Sequence, residues 1–161
     1  NTPYGESPVS TAMGAYFNKK AYTDPALRRK YTRMGFWVNI RLIRYPDVLL
    51  MAAESANEKG LMGEASGYLE QVRAHARGTL TNVLPKVESL DQSVLREAIR
   101  HERRVELGLE PDRFYDLVRW GIAQEVLQAA GKNYQPKNAL LPLPQTEIDK
   151  SNGVLIQNPD Y

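Results

Sequence analysis

The chain has 161 residues, of which 42% are hydrophobic and 25% charged, and its formal net charge at pH 7 is +2. That is an ordinary globular composition, and so balanced a charge does not call for a nucleic-acid or anionic-membrane partner. The absence of Cys excludes disulfides and thiolate metal sites, and no stretch approaches the roughly 18 apolar residues of a membrane span.

The length suits one domain, or a fragment of a larger one. The chain lacks an initiating Met, and Asn1-Thr-Pro-Tyr-Gly-Glu6 does not read as a signal peptide. It is expected to be a processed product or a piece of something longer. Residues 1–36 are rich in turn formers (Pro3, Gly5, Pro8, Gly14, Asp24-Pro25, Gly35), with aromatics scattered among them and one turn of helix predicted at Pro25–Tyr31. They are expected to be an irregular remnant of a larger fold, and residues 37–161 a helical domain. Arg28-Arg29-Lys30, with Arg33 nearby, reads as solvated surface.

Residues 36–44 are β-branched and aromatic with partial alternation, which predicts a short extended lead-in. A first helix is predicted from Pro46 to Lys59, with Leu49, Ala52, Ala53 and Ala56 on one face. Pro46 suits the first turn because it has no N–H to leave unpaired, Asp47 suits the helix dipole, and Gly60 is the stop. A second helix is predicted from Gly63 to Arg77, with Ala65, Tyr68, Leu69, Val72 and Ala76 as its stripe and Gly78 at its end. So short a link makes the two an antiparallel pair. Ala53 and Ala65, 12 residues apart and flanked by Leu49 and Leu69, let two helices approach closely, as in a tetratricopeptide (TPR) unit.

After a connector at 79–90, Asp91 caps a third helix running to Leu107. Leu95, Ala98, Ile99, Glu102, Val105 and Glu106 are expected on its inner sector and Gly108 at its stop. Pro111 is expected to open a fourth helix, with Phe114, Leu117, Val118 and Ile122 facing inward, Gly121 interrupting it and Gly131 closing it. Leu140-Leu-Pro-Leu-Pro144 must be extended, because each Pro drives its predecessor out of the helical region. A helical turn at Gln145–Lys150, a turn at Asn152-Gly153 and an irregular end follow. The expected class is therefore mainly α: TPR-like antiparallel helix pairs with irregular loops and an extended C-terminal tail.

The stretch from His101 to Trp120 is the densest in charge. His101-Glu102 begins like the zinc helix motif His-Glu-x-x-His, but position 105 is Val and the second His of the chain, His75, is on another helix. No metal site is expected, and no cofactor: the glycines stand singly at helix ends, without a phosphate loop or a nucleophile elbow. Glycoside hydrolysis would need two carboxyls facing across a cleft, one of them kept protonated. Here every acid has Arg neighbours, which favour the ionised form and a structural ion pair. Glu102, Arg103, Glu106, Arg113, Asp116 and Arg119 are thus expected to form an ion-pair corner where two helices lock, with Arg119 reaching Asp116 at i+3. Trp120 is expected in the core. Trp37 is the weak candidate for stacking on a sugar ring.

Four separated segments, in order, resemble one family. Ile40-Arg-Leu-Ile-Arg-Tyr-Pro-Asp-Val-Leu-Leu-Met-Ala-Ala-Glu54 with Asn57-Glu-Lys-Gly60 is similar to the first helix of the C-terminal half of SusD/RagB-type proteins. Glu102-Arg-Arg-Val-Glu-Leu107, Asp112-Arg-Phe-Tyr-Asp-Leu-Val-Arg-Trp-Gly121, and Leu141-Pro-Leu-Pro-Gln-Thr-Glu-Ile-Asp149 with Gln157-Asn-Pro-Asp-Tyr161 resemble its other signatures. The resemblance spans about residues 38–161. It implies a mainly helical fold with TPR-like pairs, in an outer-membrane lipoprotein on the cell surface. Such a protein binds oligosaccharides without cleaving them and passes them to a SusC-type TonB-dependent transporter. The lipid anchor and most of the family's N-terminal half are absent from this chain, so membrane association would come only through that absent anchor. The matching motifs belong to the scaffold, and no binding residue is carried over. Two other classes stay open: a stand-alone helical adaptor that binds protein through its TPR-like groove, and a hydrolase whose acids are Glu102 and Glu106.

Overall fold

The computed structural model describes residues 18–28, 39 and 41–161, with only the backbone of Leu27 and Arg28. Among them the regular elements are helices and no strand is present: a 3-10 turn Lys19–Ala21, α1 Pro25–Arg28, α2 Tyr45–Glu58, α3 Met62–Arg77, α4 Gln92–Glu106, α5 Arg113–Arg119, α6 Ala123–Ala129, a 3-10 turn Pro136–Ala139 and α7 Gln145–Lys150. The expected domain boundary at residue 36 and residues 36–38 and 40 of the extended lead-in lie outside the described residues; the described ones, 39 and 41–44, form no strand, and Arg44 is extended. The chain divides into two compact units, Asn1–Leu109 and Glu110–Tyr161.

In the first unit α2, α3 and α4 pack around one apolar core. Leu50, Leu69, Leu95 and Ile99 are completely or almost completely buried. Side chains of this size contribute about 1.5–3 kcal/mol each when fully removed from water. Ala53 and Ala65 are both at zero exposure, as the TPR-like spacing requires of residues that let α2 and α3 approach. Between them the chain turns through a Schellman cap: Leu61 N–H donates to Ala56 O at 2.9 Å and Gly60 N–H to Asn57 O at 3.0 Å, with Gly60 at φ +78°. Asp91 caps α4 through Oδ1, which accepts the N–H groups of Ser93 and Val94 at 2.9 and 3.0 Å. The connector 79–90 is tied to α3 by the Arg77 guanidinium on Leu84 O, Arg73 on Pro85 O and the Ser66 hydroxyl on Val87 O.

The second unit has a smaller core of Leu117, Ala123 and Tyr134, against which Phe114, Val118, Ile122, Val126 and Leu127 pack. Phe114 meets Tyr134 edge to face at 6.3 Å. A second Schellman cap, with Gly121 at φ +71°, separates α5 from α6. The tail is held by its own side chains. Gln157 bonds both backbone groups of Leu143, at 2.8 and 2.9 Å, and Asn158 Nδ2 donates to Leu141 O at 2.6 Å. The Tyr161 hydroxyl donates to Leu140 O at 3.0 Å while the Lys137 ammonium lies 4.9 Å over its ring.

Four expectations differ from what is seen. Val105 is 58% exposed, because it shares the outer face of α4 with exposed Val94 and His101. Ala76 is exposed too: the buried stripe of α3 ends at Val72, and the next turn serves Arg73 and Arg77. Pro111 precedes the fourth helix rather than opening it; helical bonding begins with Asp116 N–H donating to Asp112 O. Gly108 does not take the left-handed turn after α4; Leu109 does, at φ +66°. A Cβ at Gly108 would lie 3.2 Å from Val105 O, a tight contact.

Replacing Ala65 by Leu is expected to force α2 and α3 apart and cost about 1–3 kcal/mol in chemical denaturation, whereas Ala74→Leu on the exposed side of α3 is expected to be nearly neutral. The bonds from Ser93 and Val94 hold the Asp91 carboxyl below the usual carboxylate range. A depressed folded-state value adds stability that is present above the unfolded value and lost as pH falls through the folded one. Melting temperature is therefore expected to drop on acidification below about pH 4. Asp91→Asn, which keeps a capping oxygen, is expected to flatten part of that acid limb.

Candidate functional site

The charged side chains singled out in the sequence split between the two units. Those of the first unit, Glu102, Arg103 and Glu106, lie along the inner edge of α4, where i, i+1 and i+4 put them beside the buried Ile99 turn. Each reaches a different element. Arg103 Nη1 donates to Asp47 Oδ1 on the first turn of α2 at 2.9 Å, with both residues buried. Arg73 Nη1 of α3 donates to Glu102 Oε2 at 2.6 Å, and Glu102 is only 2% exposed. Arg44, just before α2, takes Glu106 twice: Nη1 to the carboxylate and Nη2 to the backbone carbonyl, both at 3.0 Å.

The second unit holds Arg113, Asp116 and Arg119. Asp116 is 4% exposed and accepts from Arg119 Nε at 3.0 Å and Nη2 at 2.9 Å, the i+3 pairing expected from the sequence. Trp120 is half-buried, with the Arg113 and Arg119 guanidinium groups 5.7 and 4.9 Å from its ring centre. Trp37 lies outside the described residues. Among the described residues, no three His, Asp or Glu side chains gather where they could hold a metal ion, and no helix is long and apolar enough to cross a membrane.

Chemically this is a set of ion pairs, buried at Glu102, Asp47 and Asp116 and partly open at Glu106. A general acid or base needs an oxygen open to substrate, and Glu102 and Glu106 each have one tied to an arginine. Asp47, Arg73 and Arg44 are the partners that reading the sequence missed. Two had a signal: Asp47 shares the buried face of α2 with Leu50, and Arg73 lies one turn on from Leu69. A polar residue continuing an apolar stripe marks a buried partner. Asn57, at zero exposure, was missed in the same way. It exchanges bonds with Gln92: Asn57 Nδ2 to Gln92 O at 3.0 Å, and Gln92 Nε2 to Asn57 O at 2.7 Å.

The family model that describes the SusD family matches residues 1–139. The chain belongs to the SusD family. Two SusD-like proteins of Formosa agariphila are similar to it: one is 39% identical over 153 residues, covering 91% of this chain, and the other 36% identical over 127 residues, covering 74%. This chain covers 27% and 25% of those proteins, so it spans about a quarter of the length of the curated relatives it matches. The crystal structure of a SusD homolog from Bacteroides thetaiotaomicron is similar with a TM-score of 0.69 and 30% identity, over 83% of this chain and 30% of that one. The mainly helical class and the SusD/RagB resemblance read from the sequence agree with these relatives.

Removing one member of the Arg103–Asp47 pair breaks a buried ion pair. Arg103→Ala and Asp47→Ala are each expected to cost about 3–5 kcal/mol in urea denaturation. Replacing both with apolar residues of similar size is expected to recover much of that loss. In the second unit Asp116→Ala and Arg113→Ala are both expected to lower the melting temperature, Asp116→Ala by more. A neutral result for both would remove the structural role assigned to them.

Proposed function

We propose that this SusD-family chain is the C-terminal, TPR-containing portion of a non-catalytic nutrient-binding protein. In this reading the whole protein is a lipoprotein on the extracellular face of the outer membrane. It binds oligosaccharides there and delivers them to a SusC-type TonB-dependent transporter. The observation that supports this most is the family match over residues 1–139, joined by relatives whose similarity covers up to 91% of the chain. Glu102, Arg103, Glu106, Arg113, Asp116 and Arg119 are then structural. Glycan contact is assigned to irregular segments, with Trp37 the aromatic singled out for stacking.

The test uses the intact protein purified from outer membranes. Co-purification with a β-barrel transporter, together with calorimetric binding of an oligosaccharide that is recovered uncleaved, is the expected result. Capture of a helical protein partner with no glycan binding would favour the adaptor reading. Release of reducing ends that is abolished by Glu102→Gln and Glu106→Gln would favour the hydrolase. Both variants are expected to lower the melting temperature and leave glycan binding intact.

A further inference from the structure

Between α7 and the segment that grips Leu140–Leu143 the chain turns at Asn152-Gly153. Both residues are exposed, and both hold left-handed backbone, at φ +52° and +85°. The bonds that close the turn run past them: Val154 N–H donates to Ser151 O at 3.2 Å, and Leu155 N–H to the Ser151 hydroxyl oxygen at 2.9 Å. Asn152 adds only its own N–H, to Asp149 O at 3.5 Å. Among the described residues, neither the Asn152 carboxamide nor the Gly153 N–H has a hydrogen-bond partner. Chain neighbours apart, nothing lies within 4 Å of the place a Gly153 Cβ would take.

These are the conditions under which an asparagine carboxamide is attacked by the backbone nitrogen that follows it. The nitrogen must be free of hydrogen bonds and unshielded by a side chain, and the asparagine must be able to rotate about its Cα–C bond. Glycine removes the shield, and an exposed turn with so little packed on it rotates at low cost. The other asparagines fail one condition or another. Asn57 is buried with its amide on Gln92 O, and the amides of Asn18 and Asn138 are bound at both ends. The Tyr134 N–H that would attack Asn133 is held by Lys132 O at 2.9 Å. Asn158 precedes Pro159, which has no N–H, and Asn1, Asn39 and Asn82 precede the β-branched Thr2, Ile40 and Val83.

We infer that Asn152-Gly153 is a site of spontaneous covalent modification, at which deamidation reroutes the main chain and loosens the hold of the tail on Leu140–Leu143. Gly153 N bonds to Asn152 Cγ, the Cγ–Nδ2 bond breaks, and the Gly153 N–H proton leaves with Nδ2 as ammonia. Water then opens the succinimide at either carbonyl: the carbonyl carbon takes the hydroxyl and Gly153 N regains its proton. One opening gives Asp. The other gives isoaspartate, in which the main chain passes through the side-chain carbon and is longer by a methylene. That extra length falls just before Gln157 and Asn158, whose side chains hold Leu143 and Leu141.

The full chain, aged in mildly alkaline buffer, provides the test. Trypsin cuts after Lys150 and releases Ser151–Tyr161 intact, since it contains no Lys or Arg. This peptide is expected to gain the mass of exchanging NH2 for OH, located at Asn152 by fragmentation. It is expected to split into two isomers, one of them a substrate for an isoaspartyl methyltransferase. The rate in the folded chain is expected to be of the same order as in a synthetic Ser151–Tyr161 peptide, and Asn152→Gln, whose longer side chain cyclises far more slowly, to abolish it. Suppression by orders of magnitude in the folded chain, or faster conversion at another asparagine, would overturn the assignment. The loosening is read by amide exchange at Leu143 N–H, which Gln157 Oε1 accepts. Exchange is expected to be faster in the isoaspartate fraction than in Asn152→Asp, which carries the same charge on an unaltered main chain. Equal exchange in the two would remove the structural consequence.

Discussion

In the first unit α4 is fixed against α2 and α3 by the charges on its inner edge as well as by the shared apolar core. Apolar contact alone would let a helix slide or rotate by a residue at little cost, since Leu95 and Ile99 offer similar surfaces to many neighbours. Arg103 on Asp47 and Arg73 on Glu102 do not permit that. Shifting α4 by one residue would carry Glu102 and Arg103 away from their partners and leave up to four buried charges uncompensated, each at a cost of several kcal/mol. The pairs add little net stability over apolar residues of the same size. Their effect is to make the alternatives expensive, and so to fix one register for three helices.

The same logic reaches the ends of the helices. Asn57 and Gln92 bond each other's backbone, side chain to main chain in both directions, so the end of α2 and the start of α4 cannot separate without losing two bonds at once. Asn57 has no exposure to replace them with water, and its Oδ1 already has no partner. At the other end of α4, Arg44 serves as a carboxylate partner and a helix cap together. α2, α3 and the segment at Arg44 are therefore joined to α4 at both ends and along its middle by polar contacts, while the apolar core fills the space between.

How much of this was legible in the sequence follows from the range of each interaction. Features set within one turn of chain were readable: the Asp91 cap, Gly60 and Gly121 in left-handed caps, and the Asp116–Arg119 pair at i+3. The close approach of α2 and α3 was readable too, because Ala53 and Ala65 are small where a helix pair must touch. The partners of Glu102, Arg103 and Glu106 were not. Charge type said that these residues wanted opposite charges, but the choice among 21 basic and 19 acidic residues is made by tertiary packing. Val105 failed for a related reason: three charged neighbours claim the inner sector of α4, so an apolar residue on the same helix faces out. Gly108 was expected as the stop of α4, and the left-handed turn comes one place later, at Leu109.

The stretches whose sequence resembles the family also carry many of the polar contacts of the two units. Gln157-Asn158 and Tyr161 grip the backbone of Leu140–Leu143, a segment that Pro142 and the following Pro144 keep extended and short of its own hydrogen bonds. Glu102–Leu107 carries the ion pairs of α4. A carboxylate that served as general acid would have to exchange its arginine for substrate, and for Glu102 that means breaking a 2.6 Å bond at a position only 2% exposed. Asp116 is nearly as enclosed and has Arg119 beside it. In residues 101–120 the acids Glu102, Glu106 and Asp116 each bond an arginine: the first two tie α4 to α3 and to the segment before α2, and the third pairs within α5.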